Sequence, residues 1–269
     1  MPASSSAHET LSSTEGTLYL IPTPLGKDPT NRVLPDDVIK TIHQLDTFFV
    51  ERIRQAVSFL KWIGHPTPDF KCNFLELNKH TPGEDLIEML NILKRGKSAG
   101  ILSEAGCPAI ADPGSGLVKL AHQSNIRVVP LTGPSSILLA LMASGLNGQS
   151  FSFHGYLPKP GKSRSEKIKS LYLSSKKNAS TQIFMETPYR NNDVFSELLE
   201  LLPDSTPLCV ASNLTLPEET IQTRSVEKWK KTKINLDEKP SIFLFLANEP
   251  DLPVSKNKKA RPSKRTGRR

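Results

Sequence analysis

The chain has 269 residues, 37% of them hydrophobic and 23% charged, and this composition excludes a fibrous or largely disordered protein. No apolar run approaches the ~18 residues that span a bilayer, and the first residues lack a basic segment followed by an apolar one, so no membrane insertion or secretion is expected. The formal net charge of +8 comes from the end of the chain, and a length above the usual single-domain size predicts two domains.

The first half of the chain alternates predicted strands with predicted helices. After a Ser-rich lead over residues 1–15, apolar runs predict strands at 17–21, 47–50, 99–102 and 127–131. Apolar residues at helical spacing predict helices at 34–45, 52–63, 80–95 and 117–123. This alternation is typical of a largely parallel sheet with crossover helices. We therefore predict an N-terminal α/β domain over residues 16–131.

The segment LTGPS at 131–135 interrupts this rhythm and is the expected interdomain connection. After it the pattern resumes, with helices predicted at 136–144, 164–173 and 194–202 and strands at 151–155, 182–186, 208–212 and 242–247. These elements predict a second α/β domain over residues 132–249. The fold class is therefore expected to be α/β, with two α/β domains.

The last residues form a basic tail. Residues 254–269 hold eight of the 35 lysines and arginines and no acidic residue, whereas the remainder has 27 basic and 27 acidic residues. Such a segment cannot bury apolar surface, so residues 250–269 are predicted to be disordered. Two interpretations stay open: an arm that binds nucleic-acid phosphates, or a segment that only increases solubility.

Three widely spaced cysteines indicate a reducing compartment. Cys72, Cys107 and Cys209 are odd in number and fit neither a disulfide framework nor a zinc site. The six histidines are scattered, and no H-E-x-x-H motif occurs. A cytoplasmic protein without a metal site is therefore predicted.

The loops that follow the predicted strands are unusually rich in Gly, Ala, Pro, Ser and Thr. Ligands of open α/β sheets bind beyond the carboxyl ends of the strands, where small residues allow the backbone to approach a ligand closely. The chain lacks the phosphate-binding motifs of ATP and NAD enzymes and the G-x-S-x-G motif of hydrolases. The loops indicate a small amphipathic ligand; they read PTPLGK, SEAGCPAIADPG, LTGPSS, HGYLPKPGK and METPYRN.

In order and spacing these loops resemble the tetrapyrrole methylase superfamily, and within it the branch that methylates a cytidine ribose 2′-hydroxyl in small-subunit ribosomal RNA. GTLYLIPTPLG resembles the start of that branch, SEAGCPAIADPG its SDAGTP and SDPG loop, and VVPLTGPSS its PLPGPSA junction. FHGYLPKPGKSR and ETPYRN stand where it has F-x-G-F-L-P and ESPHR. The resemblance covers residues 16–248 and implies an S-adenosylmethionine-dependent methyltransferase, a homodimer that acts on ribosomal RNA or the small ribosomal subunit.

The resemblance also implies a cofactor cleft between the two domains and assigns residues to it by position. Met185, Asn213 and Leu246 are expected around the adenine, although a core position is an equally good interpretation of Met185 and Leu246. The complete implied cofactor set is Pro24, Ser103, Glu104, Ala105, Gly106, Cys107, Ile110, Ser135, Ser136, Met185, Asn213 and Leu246.

Several loop residues depart from the pattern of the branch. Its A-E-D-T-R motif corresponds here to VERIR, in which Glu51 and Arg54 match while Arg52 and Ile53 do not, and Tyr189 replaces the His of ESPHR. SEAG stands for SDAG, and SNLTL stands for RELTK. These departures lie in the expected site, so they predict a changed substrate or activity.

Transfer of a methyl group to a hydroxyl requires a proton acceptor. The predicted catalytic candidates are Glu51, Glu104 and Glu186, with Glu51 favoured unless it forms an ion pair with Arg54 or another base. Arg54, Lys159 and Arg190 are predicted to bind RNA phosphates, and are otherwise solvated surface residues. His154 is expected to be a hydrogen-bonded structural residue.

Three functions are compatible with these sequence patterns. They are an RNA ribose methyltransferase, a methyltransferase acting on a tetrapyrrole or another small molecule, and a non-catalytic RNA-binding relative. The basic tail favours RNA, because a small free substrate needs no such arm.

Overall fold

The computed structural model describes residues 15–26 and 33–247. The predicted tail and almost all of the predicted N-terminal lead lie outside the described residues. In the part described, ten strands form two five-stranded sheets. Eight α-helices and two short 3₁₀ helices, Asp69–Lys71 and Pro188–Arg190, connect the strands. The predicted α/β class is confirmed. No helix in these ranges is both long and apolar enough to cross a membrane.

The first sheet is parallel throughout and has the strand order β3-β2-β4-β1-β5. The apolar runs of β2 and β4 are buried along their whole length, as expected of central strands covered on both faces. The elements of this half are β1 (Leu18–Ile21), α1 (Asp36–His43), β2 (Thr47–Val50), α2 (Ile53–Trp62), β3 (Asn73–Glu76), α3 (Gly83–Lys94), β4 (Ala99–Leu102), α4 (Ser115–Gln123) and β5 (Val128–Pro130).

The second sheet is mixed and has the strand order β6-β7-β10-β8-β9. In the described chain β6 pairs with β7 in parallel, whereas β10 is antiparallel to both β7 and β8, and β9 is antiparallel to β8. The elements are α5 (Ser136–Ser144), β6 (Phe151–Tyr156), α6 (Lys162–Asn178), β7 (Thr181–Glu186), α7 (Asn191–Leu201), β8 (Pro207–Ser212), β9 (Thr220–Ser225), α8 (Val226–Lys230) and β10 (Ser241–Phe245).

The largely parallel sheet predicted for the first half of the chain is therefore confirmed, whereas the strand directions of the second sheet were not predicted. Sequence alternation does not report strand direction when helices are followed by a hairpin, and β8 and β9 form such a hairpin. Sequence patterns also missed β3, β9 and α8. Both missed strands lie at sheet edges, where their partly exposed residues show no continuous apolar run.

Apolar side chains cover both faces of the second sheet. One face packs against α5 through Ala140, Leu141 and Leu244, among others. The opposite face packs Phe184 and Phe243 against α6, α7 and α8, where Trp229 is fully buried and donates its Nε1 hydrogen to the Leu208 carbonyl oxygen at 2.7 Å. The rigid sheet that results holds the loops at its end in place.

Candidate functional site

The loops after β1 and β4 are joined by a short backbone bridge. These two strands pair in register, with Ile21 opposite Leu102, so both loops leave the same edge of the sheet. Beyond that edge the Thr23 amide donates to the Gly106 carbonyl at 2.9 Å, and the Gly106 amide donates to the Thr23 carbonyl at 3.0 Å. The Thr23 hydroxyl also donates to the Ser103 carbonyl at 3.3 Å. The two loops therefore form one wall.

Gly106 is the residue that makes this bridge possible. Its φ of +76° is in the left-handed region, and a Cβ atom there would lie 3.2 Å from Cδ2 of Leu25. We expect Gly106→Ala to lower the free energy of unfolding by about 1–2 kcal/mol, measured by urea denaturation. Gly148→Ala is the matched control, because a Cβ at Gly148 meets no atom within 4 Å. Equal stability of the two variants would contradict a strained position 106.

A cavity of about 340 Å³ separates this wall from the second sheet. Loops after β4 line one side, the first turn of α5 lines another, and the ends of β6 and β7 and the start of β10 line the third. Nine of the twelve implied cofactor residues line it: Glu104, Ala105, Gly106, Cys107, Ile110, Ser135, Ser136, Met185 and Asn213.

The three other implied cofactor residues lie elsewhere. Pro24 and Ser103 line a neighbouring cavity of about 460 Å³, which shares Leu25, Glu104 and Ala105 with the first. Leu246 is 2% exposed in the core around α5 and lines neither cavity. Because β10 runs antiparallel to β7, its first residue, Ser241, pairs with Glu186 at the cavity, and its last lies at the opposite end of the sheet. The structure thus places Leu246 away from the predicted adenine position.

Three carboxylates cluster on the wall formed by the first sheet. Glu51, Glu104 and Asp112 all line the cavity, and the Glu104 carboxylate accepts a salt bridge from Arg52 Nε at 2.8 Å. Burial and the charges of Glu51 and Glu104 together raise the pKa of Asp112 to about 6, although a hydrogen bond with Ser103 opposes the shift. Burial and the Glu104 charge likewise raise the pKa of Glu51. Only Glu104 of the three forms a salt bridge among the described residues, so this group of carboxylates favours a cationic ligand.

Sequence reasoning missed Asp112, and its three catalytic candidates, Glu51, Glu104 and Glu186, all line the cavity. Asp112 stands in the D-P-G turn of the long loop after β4, and the only signal in the sequence was that it shares this loop with Glu104. Glu51 forms no salt bridge with Arg54 or another base among the described residues. No group of three or more His, Cys, Asp or Glu side chains in residues 15–26 and 33–247 could hold a metal ion.

Glu186 is also at the cavity, but most of its hydrogen-bonding capacity is used locally. Its side chain is fully buried, and Oε1 accepts from the Thr187 amide at 2.8 Å, the Thr187 hydroxyl at 3.2 Å and Arg190 Nη2 at 2.6 Å. Its Oε2 atom has no hydrogen-bond partner among the described residues. Only Oε2 therefore remains to accept a proton or a hydrogen bond from a ligand.

The predicted phosphate-binding residues are not gathered at the cavity. Arg190 is ion-paired with Glu186 and its side chain is 20% exposed, and its contact with phosphate stays a prediction. Arg54 and Lys159 are exposed and line neither cavity. His154 is hydrogen-bonded through Nε2 to the Gln182 side-chain oxygen at 2.8 Å, which confirms its structural interpretation.

The first turn of α5 contributes a positive partial charge to the cavity. Ser135 caps the helix, and its hydroxyl oxygen accepts the Leu138 amide at 3.5 Å. Ser136 and Ile137 line the cavity at the first helical positions, where backbone amides have no partner within the helix. This turn suits a carboxylate, so the cavity carries positive character on one wall and carboxylates on another.

The fold and site together define an α/β protein with a cavity of mixed charge between its two sheets. A family model described as tetrapyrrole (corrin/porphyrin) methylases matches residues 36–229. The chain belongs to the tetrapyrrole methylase family, which confirms the resemblance seen in its loops and the prediction that it is a methyltransferase.

Relatives named as methyltransferases are similar to the chain in sequence, and a solved structure is similar to it in fold. The chain is 36% identical to ribosomal RNA small subunit methyltransferase I from Vibrio cholerae, and the matched region covers 76% of this chain and 67% of that protein. It is 30% identical to the Escherichia coli O157:H7 protein of that name, and the matched region covers 92% of this chain and 84% of that protein. Its fold resembles the uroporphyrin-III C-methyl transferase of Thermus thermophilus complexed with S-adenyl homocysteine, with a TM-score of 0.54, 15% identity, and coverage of 86% and 97% of the two chains.

Proposed function

We propose that this protein transfers the methyl group of S-adenosylmethionine to a ribose 2′-hydroxyl of small-subunit ribosomal RNA. The observation that carries the proposal is the cavity between the sheets, which has carboxylates on one wall and the first turn of α5 on another. The relatives named as ribosomal RNA small subunit methyltransferase I support the choice of RNA.

The residues present fit this cofactor. The cavity volume of about 340 Å³ lies in the range of about 300–1,000 Å³ typical of small-molecule sites. The first turn of α5 would hold the carboxylate of the cofactor, while Glu51, Glu104 and Asp112 would favour its positive charge. Ile137, Met185 and Leu214 offer apolar surface for the adenine. When bound, the cofactor supplies a methyl group on a sulfonium, which is already a good leaving group.

The protein's own task is to orient the acceptor and to receive its proton. The ribose oxygen forms a bond to the methyl carbon, the carbon–sulfur bond breaks, and the hydroxyl proton moves to a carboxylate. Glu104 is engaged with Arg52 and Glu186 with Arg190, so Asp112 and Glu51, which form no salt bridge among the described residues, are preferred as acceptors over the remaining Oε2 of Glu186. We propose Asp112 first, because a base with a pKa near 6 is ionised at neutral pH and still basic enough to take a proton.

This assignment predicts an acidic limit to activity. Below its pKa of about 6, Asp112 is protonated and cannot accept another proton, so kcat/KM is expected to fall roughly tenfold per pH unit. The bound cofactor would carry a positive charge and favour ionised Asp112. The acidic fall in kcat should therefore lie at a lower pH than the fall in kcat/KM. Initial rates across the pH range test this expectation. A kcat/KM that does not change through that range would remove Asp112 as the base.

The proposed activity is tested by cofactor binding and by methylation mapping. Calorimetry of the full chain should detect S-adenosylmethionine, and RNA from deletion cells should lack one ribose methylation that the purified enzyme restores. A fully methylated RNA in deletion cells without a second copy of the gene would reject the RNA substrate. Methylation of a tetrapyrrole precursor instead would establish the small-molecule alternative, and absence of cofactor binding would establish a non-catalytic relative.

We further propose that the chain has two domains, over residues 16–131 and 132–249. We also propose that the protein works in the cytoplasm, where a ribosomal substrate is found. All strands of the first sheet precede residue 131, and all strands of the second follow residue 150. The free thiols of Cys72, Cys107 and Cys209 suit a reducing compartment. Limited proteolysis should cleave between residues 130 and 136 if that segment is a true domain connection.

We also propose a homodimer, as the family resemblance implies. On the apolar helix α5, Leu138 is 52% exposed and Met142 is 80% exposed, although neighbouring Ala140 is fully buried against the second sheet. An exposed apolar helix face of this kind is suited to an interface. Light scattering of the purified protein measures the mass directly, and a monomer at all concentrations would reject the dimer.

A further inference from the structure

An exposed aromatic side chain stands at the edge of the cavity. Tyr189 is 71% exposed, and the two residues that precede it, Thr187 and Pro188, line the cavity. A single exposed aromatic residue is ordinary on a protein surface. The position of Tyr189 becomes informative because of the arginine that supports it.

The Tyr189 ring is supported by a buried ion pair. The Arg190 guanidinium carbon lies 5.5 Å from the centroid of the ring. That guanidinium donates to the buried Glu186 carboxylate at 2.6 Å and, through Nε, to the Thr187 hydroxyl at 3.0 Å. Because Glu186 is fixed in the last position of β7, the cation and the ring are held before any ligand arrives.

We propose that the exposed surface of Tyr189 is a stacking platform for an unpaired nucleobase of the RNA substrate. The inference rests on the proposed function and adds a binding subsite to it. A ribose hydroxyl can reach the cavity only if its nucleotide leaves the surrounding base stack, and unstacked bases bind aromatic rings and guanidinium planes. Tyr156, which is 53% exposed and lines the cavity, gives the same rim a second aromatic side chain.

The charge of the rim favours contact with a base over contact with a phosphate. Glu51, Glu104 and Asp112 lie on the same cavity and repel anionic phosphate groups. The nearby Arg190 charge is already paired with Glu186. A neutral aromatic face is compatible with both conditions, because stacking requires no net charge on the protein.

The test measures RNA affinity in Tyr189 variants of the full chain. The probe is a single-stranded oligoribonucleotide that spans the mapped methylation site, with 2-aminopurine beside the target nucleotide, in the presence of S-adenosylhomocysteine. Tyr189→Ala should weaken its binding by about 5- to 100-fold and reduce quenching of the probe, whereas Tyr189→Phe and Tyr189→Trp should retain both.

The control is an exposed aromatic residue that also lies beside a cation but away from the cavity. Phe70 is 80% exposed, Lys71 Nζ lies 6.0 Å from its ring centroid, and Phe70 lines neither cavity. Phe70→Ala should leave RNA affinity and quenching unchanged. An equal loss in the Phe70 variant would overturn the proposal, because it would show a general effect of exposed aromatic surface.

The outcomes separate this inference from the proposed function. If wild type methylates the RNA while Tyr189→Ala binds and methylates it equally well, the platform is rejected and the function stands. If Tyr189→Ala loses affinity for S-adenosylhomocysteine itself, the ring contacts the cofactor and the platform is again rejected. If wild type neither binds cofactor nor methylates RNA, the proposed function fails first. Should the alanine variant fold poorly, Tyr189→Phe and Tyr189→Ser carry the comparison.

Discussion

Asp112→Asn is expected to lower kcat for methyl transfer by about 100- to 10,000-fold, the usual contribution of a general base. Asparagine preserves the shape of the side chain but cannot take up the hydroxyl proton. The same change should raise the melting temperature of the ligand-free protein at neutral pH, because it removes a partly buried charge that lies beside Glu51 and Glu104. An inactive but more stable variant is the combined signature of a residue kept for catalysis.

The sign of the stability change follows from the pKa of Asp112. Folding raises this pKa from 3.8 to about 6, so the folded state holds the proton more tightly than the unfolded state. The contribution of Asp112 to stability is therefore greatest at low pH, falls as the pH rises from 3.8 to about 6, and stays reduced above that range. The stabilising effect of asparagine should accordingly disappear below pH 3.8, which thermal unfolding at several pH values can measure.

Two variants serve as controls for this result. Glu51→Gln removes one of the charges that raise the pKa of Asp112, so the acidic limb of kcat/KM should move to lower pH while activity persists. Asp37→Asn alters a carboxylate that is 92% exposed and should change neither activity nor stability appreciably. Full activity in Asp112→Asn together with an inactive Glu51→Gln would assign the proton acceptor to Glu51 instead.

Glu197→Ala should reduce the free energy of unfolding by about 3–5 kcal/mol, because it leaves a buried arginine without its counter-ion. Glu197 on α7 accepts Arg164 Nε of α6 at 2.5 Å and also a hydrogen bond from the Ser165 hydroxyl. The two charged side chains are only 15% and 5% exposed. Arg164 Nη1 already lacks a partner within the described residues, so no spare acceptor compensates for the loss. Urea denaturation gives the value.

A double variant separates the ion pair from the packing around it. Arg164→Met combined with Glu197→Leu removes both charges and keeps apolar volume, so most of the stability should return. Glu227→Ala breaks an exposed pair with Lys231, in which the side chains are 58% and 72% exposed, and should cost at most about 1 kcal/mol. If Glu197→Ala cost no more than Glu227→Ala, the buried pair would have no special role between α6 and α7.

Much of the fold could be predicted because buried strands and amphipathic helices have local patterns. The buried run TFFV predicted β2 at its observed bounds, and AGIL predicted β4 equally well. Edge strands such as β9, TIQTRS, have no such pattern, since half-exposed positions accept polar residues. Strand direction was also beyond reach, because it depends on pairings between segments that are distant in the chain.

The sequence alone determined the family and the group of loops that form the cavity, because each loop is a local motif of small residues placed after a strand. The tertiary structure decided what the side chains on those loops do. Burial and the charges of Glu51 and Glu104, which follow two different strands, together raise the pKa of Asp112, and Arg190 is ion-paired with Glu186. Leu246 lies outside the cavity because β10 runs antiparallel to β7. Charge coupling and strand direction are properties of residues brought together by folding, and a local motif does not contain them.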